Sequence, residues 1–276
     1  MTRAQALAAA IARLEAAEVP GAARDARLLL RAAAGLGAAQ LTPRLGAPIG
    51  TSEAQVFEAF IAARCARQPV SQILGERIFW GRAFDITPDV LDPRPETETL
   101  IATALNGPTP QRILDLGVGS GALLVTLLAE WPEAQGLGVD ISPAALAVAA
   151  RNAKKLGVGN RAELRRSDWL SAVSGRFDLI LCNPPYIGAD ELAGLAPELR
   201  FWEPRAALSP GPDGLCVYRY LSVNLELHLT QSGRALFELG RGQAAGVQEI
   251  YLESKGWRVS FVKDMDGVDR CAIVQR

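Results

Sequence analysis

The feature that most constrains the fold is "RILDLGVGSGALLVTLLAEW", residues 112–131: a short apolar run, a Gly-x-Gly-x-Gly turn and a long apolar run. Apolar runs of these lengths read as a buried strand and a buried helix, and the three glycines as the tight turn that joins them. A strand that feeds a helix in this way is the first half of a parallel β–α–β unit, which commits the chain to a sheet covered by helices. The pattern then repeats. "GLGVDI", "AELRRS", "FDLILCN", "RALFELG", "RVSFVKD" and "CAIVQR" alternate with helical stretches, so seven strands are expected over 111–276. Most are continuous apolar runs, as strands buried on both faces should be. Only a short connection separates the last two, so the final strand is expected to run antiparallel to its neighbour. The fold class is α/β, a doubly wound, Rossmann-like sheet.

Upstream the texture differs. "ARDARLLLRAAAGL" and "TSEAQVFEAFIAARCARQ" place apolar residues at three- and four-residue spacings, and no strand alternation appears before residue 75. Residues 1–75 are therefore expected to form a small helical domain, with Ser52 as an N-cap. The stretch 76–110 reads as a linker that carries a short hairpin, turning at the glycine and arginine of "WGRAF", and a leading helix opened by "DPRPETETLI". The first helix is amphipathic, with Glu15 and Glu18 following its alanines, and is not a signal peptide. No apolar stretch approaches a membrane span.

Composition narrows the chemistry. The net charge is −1, which gives no overall pull toward nucleic acid. Residues 1–75 hold eight arginines and five acids, hence +3, and the remainder holds −4. That asymmetry suits an anionic partner and a solvated surface equally. Cys65, Cys182, Cys216 and Cys271 are scattered without a Cys-x-x-Cys pair, the usage of reduced thiols in a cytoplasmic protein. The one histidine, His228, reads as a helix-face residue, so metal chemistry and Ser-His or Cys-His catalysis are poorly supported. A reaction that needs no strong base is therefore expected.

The glycine loop points to a nucleoside ligand. Asp140 ends the next strand, and an acid there accepts hydrogen bonds from ribose hydroxyls. Ser142 and Pro143 follow it as N-cap and first helical residue. The third glycine of Gly117, Gly119 and Gly121 comes one residue too early for the dinucleotide fingerprint. Asp115, inside the strand before the loop, would repel a phosphate but welcome an ammonium. S-Adenosylmethionine, with an ammonium, a sulfonium and a ribose but no phosphate, fits better than a dinucleotide. In "RRSDWL", Asp168 is placed to accept from the adenine amino group and Trp169 to offer a ring surface to the base; a half-buried core aromatic explains Trp169 equally well.

The fourth strand stops at "NPPY". Two prolines end a strand, but they do not explain Asn183 and Tyr186. The Asn183 side-chain oxygen and the Pro184 carbonyl can both accept from one planar NH₂ group, Pro185 stiffens the turn, and Tyr186 can stack on the substrate plane. An amide or aromatic amine is a poor nucleophile because its lone pair is delocalised. Two acceptors around its protons favour a pyramidal nitrogen and align it with the methyl–sulfur bond. Methyl transfer is then a direct displacement, and the proton leaves afterwards.

With the glycine loop, "NPPY" resembles the amino-methyltransferases that modify adenine N6, cytosine N4 or glutamine N5. "FWGRAFDITPDVLDPRPETE", "FWEPRAALSPGPDGLCVYR", "ALFELGRGQ" and "DMDGVDR" resemble, more narrowly, the peptide-chain release factor glutamine methyltransferases, the PrmC/HemK family. The likeness runs over the whole chain, including a helical N-terminal domain ending in "RQPVSQILG". It implies methylation of the glutamine amide in the Gly-Gly-Gln motif of bacterial release factors, with residues 1–75 recognising the substrate. It implies a cofactor site of Gly117, Val118, Gly119, Ser120, Gly121, Asp140, Trp169 and Asn183, and a glutamine held by Asn183, Pro184, Pro185 and Tyr186. Arg94, Glu96 and Glu98 would support the substrate side, or else form a helix-start ion-pair network. Asp92 departs from the family, which has an apolar residue there. Two other readings stand beside this one. An adenine-N6 enzyme would need a basic recognition region that this chain lacks, and a non-catalytic cofactor-binding module would not need two NH₂ acceptors. A cytoplasmic monomer without a metal, a membrane or stable nucleic-acid binding is expected.

Overall fold

Helical periodicity in the first residues becomes four helices: α1 (Arg3–Ala16), α2 (Ala22–Ala33), α3 (Thr51–Cys65) and α4 (Val70–Leu74). The computed structural model describes residues 1–254 and 256–276. It divides them into two units, Met1–Glu76 with Ala196–Trp202, and Arg77–Leu195 with Glu203–Arg276. In the first unit, Leu7, Leu14, Leu29, Leu30, Phe57 and Ile61 close one apolar core. The N-cap of α3 is Gly50 and not Ser52, which lies inside the helix. Glu53 reaches back to the Gly50 N–H at 3.5 Å while Arg3 clamps its carboxylate at 2.6 and 2.7 Å.

A hairpin follows, β1 (Glu76–Phe79) and β2 (Arg82–Asp85), which belongs to the second unit from Arg77 onward. Its turn is Trp80–Gly81, with φ +48° and +70°, one residue earlier than expected. A two-residue turn with both φ positive matches the strand twist, and it outweighs the strain on Trp80. The stretch read as a linker is built into the core: Phe79, Phe84, Ile86, Val90 and Leu100 pack with Ile113, Leu124 and Leu179. α5 (Glu98–Leu105) completes it.

The sheet has the seven expected strands: β3 (Arg112–Leu116), β4 (Gln135–Asp140), β5 (Ala162–Arg166), β6 (Phe177–Cys182), β7 (Leu229–Glu238), β8 (Arg258–Lys263) and β9 (Asp269–Gln275). Their order is β5-β4-β3-β6-β7-β9-β8. The first five are parallel, and β9 lies antiparallel between β7 and β8. Strand alternation feeds two cores: Ile113, Leu179 and Leu236 face one, and Leu114, Ile180 and Phe237 the other. α6 (Ala122–Glu130) and α7 (Pro143–Lys155) join α5 on the first face, and Ser142 caps α7 by accepting from the Ala145 N–H at 3.2 Å. The chain continues through the short helices α8 (Pro197–Trp202) and α9 (Arg205–Leu208) to α10 (Cys216–Asn224) and α11 (Ala244–Glu253), which supply the second core. His228 is not on a helix face. It follows a 3₁₀ turn, Leu225–Leu227, and leads into β7. All four cysteines are free. Among the described residues, no helix is long and apolar enough to cross a membrane.

Candidate active site

The strand order reverses at β3, which pairs in parallel with β4 on one side and β6 on the other. Leu116 stands opposite both Val139 and Cys182. Gly117, Asp140 and Asn183 therefore leave three adjacent strands at the same level. Open α/β sheets bind ligands at this switch point.

On the β4 side, Gly117, Gly119 and Gly121 adopt φ of +72°, +53° and +83°, a run of left-handed residues that side chains would strain. The Gly117 and Val118 N–H groups both donate to Val139 O at 2.9 Å, and the Ser120 carbonyl accepts from Asn152 Nδ2 at 2.8 Å. Asp140 is already engaged by the backbone around it. Its Oδ2 accepts from the Gly119 N–H at 3.0 Å and its Oδ1 from the Ser142 N–H at 2.9 Å. The carboxylate shapes the loop first, and each oxygen keeps a second acceptor direction. Trp169, half-buried at φ +48°, brings ring atom Cζ3 to 3.9 Å from where a Gly117 Cβ would stand, so the indole borders the loop. Asp168 beside it is exposed.

Asp115 tests whether a cationic ligand fits. It is 1% exposed, and its Oδ2 accepts from the Leu124 N–H at 3.2 Å, while Oδ1 is buried without a donor. Burial pushes its carboxyl up to about 7, Asp140 adds to the rise, and the Leu124 N–H opposes it. A buried carboxyl with a vacant oxygen is costly alone and suited to an ammonium donor. The residues present fit S-adenosylmethionine.

On the β6 side, Asn183 Nδ2 donates to Thr97 Oγ1 at 3.3 Å. Pro184 is buried; Pro185 and Tyr186 are half-buried. Tyr186 is held at both ends. Its hydroxyl donates to Glu238 Oε1 at 3.3 Å, and its carbonyl accepts from Gln243 Nε2 at 2.8 Å. Burial, and then the Glu238 charge, push the phenol well above its usual range. Glu238 is itself buried, at 1% exposure, and burial raises its carboxyl to about 7 against the pull of Thr97, Arg270 and Tyr186. Asp264 and the Leu239 carbonyl anchor Arg270 at 3.1 and 2.9 Å.

The acid-rich stretch before α5 divides. Arg94 donates to Glu203 Oε1 at 2.9 Å, and Glu203 Oε2 accepts from the Asp92 N–H at 3.2 Å. Glu98 accepts from the Trp80 N–H at 2.7 Å, which ties the helix to the hairpin turn. Both arrangements order the loop. Glu96 is half-buried and its charge bears on Glu238. Asp92 is buried, and Arg77 Nε lies 3.7 Å from its Oδ1, an ion pair too long for a hydrogen bond. Thr97, Glu238 and Gln243 were not singled out by the sequence reading, although they lie within "PRPETE" and "ELGRGQ". Among the described residues, no cluster of three or more His, Cys, Asp or Glu could hold a metal ion.

A glycine loop, an acid at the end of the next strand and an Asn-Pro-Pro-Tyr turn thus meet at one switch point of a doubly wound sheet, the arrangement expected from the sequence for an amino-methyltransferase. Residues 94–211 match the family model "Methyltransferase small domain", and residues 5–75 match "PrmC N-terminal domain". The chain is 55% identical over 98% of its length to a release factor glutamine methyltransferase of Cereibacter sphaeroides, covering 97% of that protein, and 43% identical over 96% of its length to one of Rhodospirillum rubrum, covering 82%. It belongs to the release factor glutamine methyltransferase family. Among solved structures, the hMettl16 catalytic domain shares the fold at a TM-score of 0.58 and 16% identity, over 78% of this chain and 81% of that one.

Proposed function

We propose that the chain methylates the side-chain amide nitrogen of the Gly-Gly-Gln glutamine in bacterial release factors, using S-adenosylmethionine. The observation that carries the reading is the adjacency of Asn183 and Pro184, at the end of β6, to the glycine loop at the end of β3. Gly117, Val118, Gly119, Ser120, Gly121, Asp140, Asp168 and Trp169 hold the nucleoside end, and Asp115 takes the ammonium. When bound there, S-adenosylmethionine supplies a methyl group on a sulfonium leaving group. Asn183 Oδ1 and the Pro184 carbonyl accept the two amide protons, so that the nitrogen lone pair localises toward the methyl. Pro185 keeps the turn rigid and Tyr186 covers the amide plane. The methylated nitrogen sheds its extra proton without a dedicated base, consistent with a site that contains no histidine. Glu96 faces the substrate side, and Arg94 orders the loop through Glu203. The enzyme acts as a cytoplasmic monomer without stable nucleic-acid binding.

Transfer of a labelled methyl group, with release factor and DNA offered together, tests this. The expected result is label on one glutamine of the release factor and none on DNA. Label on DNA with none on the factor would overturn it.

A further inference from the structure

The stretches "FWEPRAALSPGPDGLCVYR" and "ALFELGRGQ" converge on one peptide group, the one between Tyr186 and Ile187. Pro184 and Pro185 have no N–H to tie the Asn-Pro-Pro-Tyr turn to its surroundings, so the turn must be anchored elsewhere. The Tyr186 carbonyl accepts from Gln243 Nε2 at 2.8 Å. The Ile187 N–H, in the same peptide plane, donates to the Leu208 carbonyl at 3.0 Å. Gln243 is set in its turn, because its Oε1 accepts from the Gly240 N–H at 3.0 Å. A backbone N–H only donates and a carbonyl only accepts, so these two partners fix which end of the Gln243 amide faces the turn. Two glycines leave room for the arrangement. A Cβ on Gly240 would stand 2.9 Å from Gln243 Oε1 and 3.0 Å from Tyr186 Cδ2, and one on Gly214 would stand 2.9 Å from Gln243 Nε2.

We propose that Gln243 is a positioning residue for methyl transfer: it pins the Tyr186–Ile187 peptide, and so sets the Pro184 carbonyl and the Tyr186 ring for the substrate amide. With φ fixed at both prolines, few torsions separate that peptide from the Pro184 carbonyl. A displaced peptide therefore displaces the acceptor. Gln243 touches neither substrate nor cofactor in this scheme, and acts through Tyr186. The arrangement gives the two stretches a shared purpose: one supplies Leu208 and Gly214, the other Gly240 and Gln243.

This inference rests on the proposed function, and the test separates the two. Gln243→Glu keeps the shape and the bond from Gly240, but sets a carboxylate oxygen against the Tyr186 carbonyl, acceptor to acceptor. Turnover on a release factor, S-adenosylmethionine affinity by calorimetry and hydrogen exchange at the Ile187 N–H are measured. The proteins compared are the wild type, Gln243→Glu, Gly214→Ala and the double variant. Gln243→Glu is expected to lower kcat on the order of 10- to 100-fold, the scale of a misplaced reacting group. Cofactor affinity and the KM for release factor should stay nearly unchanged, while exchange at the Ile187 N–H quickens. The double variant should be no slower than Gly214→Ala alone, because both substitutions act on one peptide group. Wild-type kcat in Gln243→Glu, a parallel fall in cofactor affinity, or additive losses in the double variant would each overturn the proposal. If Gln243→Glu does not fold, Gln243→Ala, which removes the bonds without the repulsion, decides by the same criteria. A wild type that labels no release factor sinks the substrate reading. Exchange at Ile187 then decides the role of Gln243 by itself: quicker exchange in the variant supports it and unchanged exchange overturns it. An active wild type with an unaffected Gln243→Glu sinks only the role of Gln243.

Discussion

At the scale of single residues, Asp115 carries the most telling charge. Its carboxyl is held near 7 by burial and by Asp140, far above an unfolded aspartate. Between those values the folded chain binds a proton that the unfolded chain does not. The stabilisation is therefore complete below about pH 4 and lost as pH rises through about 7. Asp115→Asn removes this dependence. The stability difference between wild type and variant should change by up to about 4 kcal/mol between pH 4 and pH 8 in denaturant titrations; a constant difference would show that Asp115 titrates normally. An ammonium beside the carboxylate reverses the balance, so wild-type cofactor affinity should rise through pH 7 while that of Asp115→Asn stays flat. The glycine loop and Asn183 were legible because each motif is local. Thr97 and Glu238 were not: Thr97 lies 86 residues from Asn183, and Glu238 lies 52 from Tyr186. Spacing along the chain carries no trace of such contacts.

Among the elements, the turn after β6 shows how a rigid loop is assembled from distant pieces. Pro184 and Pro185 fix its φ angles, but Tyr186 is placed by the start of α11, by β7 and by Gly214 ahead of α10. Gly214 has φ +68°, and a Cβ there would stand 2.2 Å from the Tyr186 carbonyl oxygen. Neither the backbone angle nor the contact tolerates a side chain. Gly214→Ala should displace the turn, cutting kcat about 10²-fold by misplacing the acceptors while cofactor affinity changes little. Steady-state kinetics beside calorimetry check it, and unchanged kcat would mean that the turn does not depend on Gly214. The seven strands were readable mostly from apolar runs, and the antiparallel final strand from its short connection; their order in the sheet was not. The hairpin turn was misplaced by one residue because Trp80 accepts a positive φ that its residue type disfavours. The stretch 76–110 looked like a linker because its apolar residues are spread over a hairpin and loops. Only the packing of Phe79, Phe84 and Val90 shows it to be core.

On the scale of the whole molecule, the helical unit is not contiguous in sequence. Ala196–Trp202 groups with Met1–Glu76, and the reason is ionic. Arg64 is 5% exposed, and its guanidinium donates to Asp25 at 2.9 Å and to Glu198 at 2.8 Å. Arg67 grips both oxygens of the same Glu198, at 2.9 and 2.8 Å. Burial pushes the Glu198 carboxyl up, but Arg67 and Arg64 outweigh it and hold it down to about 2. A depressed carboxyl gives stability that is present above its unfolded pKa and lost as pH falls toward about 2. Helical periodicity defined residues 1–75 but could not reveal a partner segment about 130 residues further on. Glu198→Ala leaves Arg64 buried with one acid instead of two, and removal of one partner from a buried pair costs about 3–5 kcal/mol at its upper limit. The cost should fall on one cooperative unit. Hydrogen exchange should therefore quicken together in α1–α4 and in residues 196–202, while β3 and β6 keep their protection. Unchanged exchange in α1–α4 would show that the segment merely rests on the helices; faster exchange across the sheet as well would show that the chain unfolds as one unit and not as two.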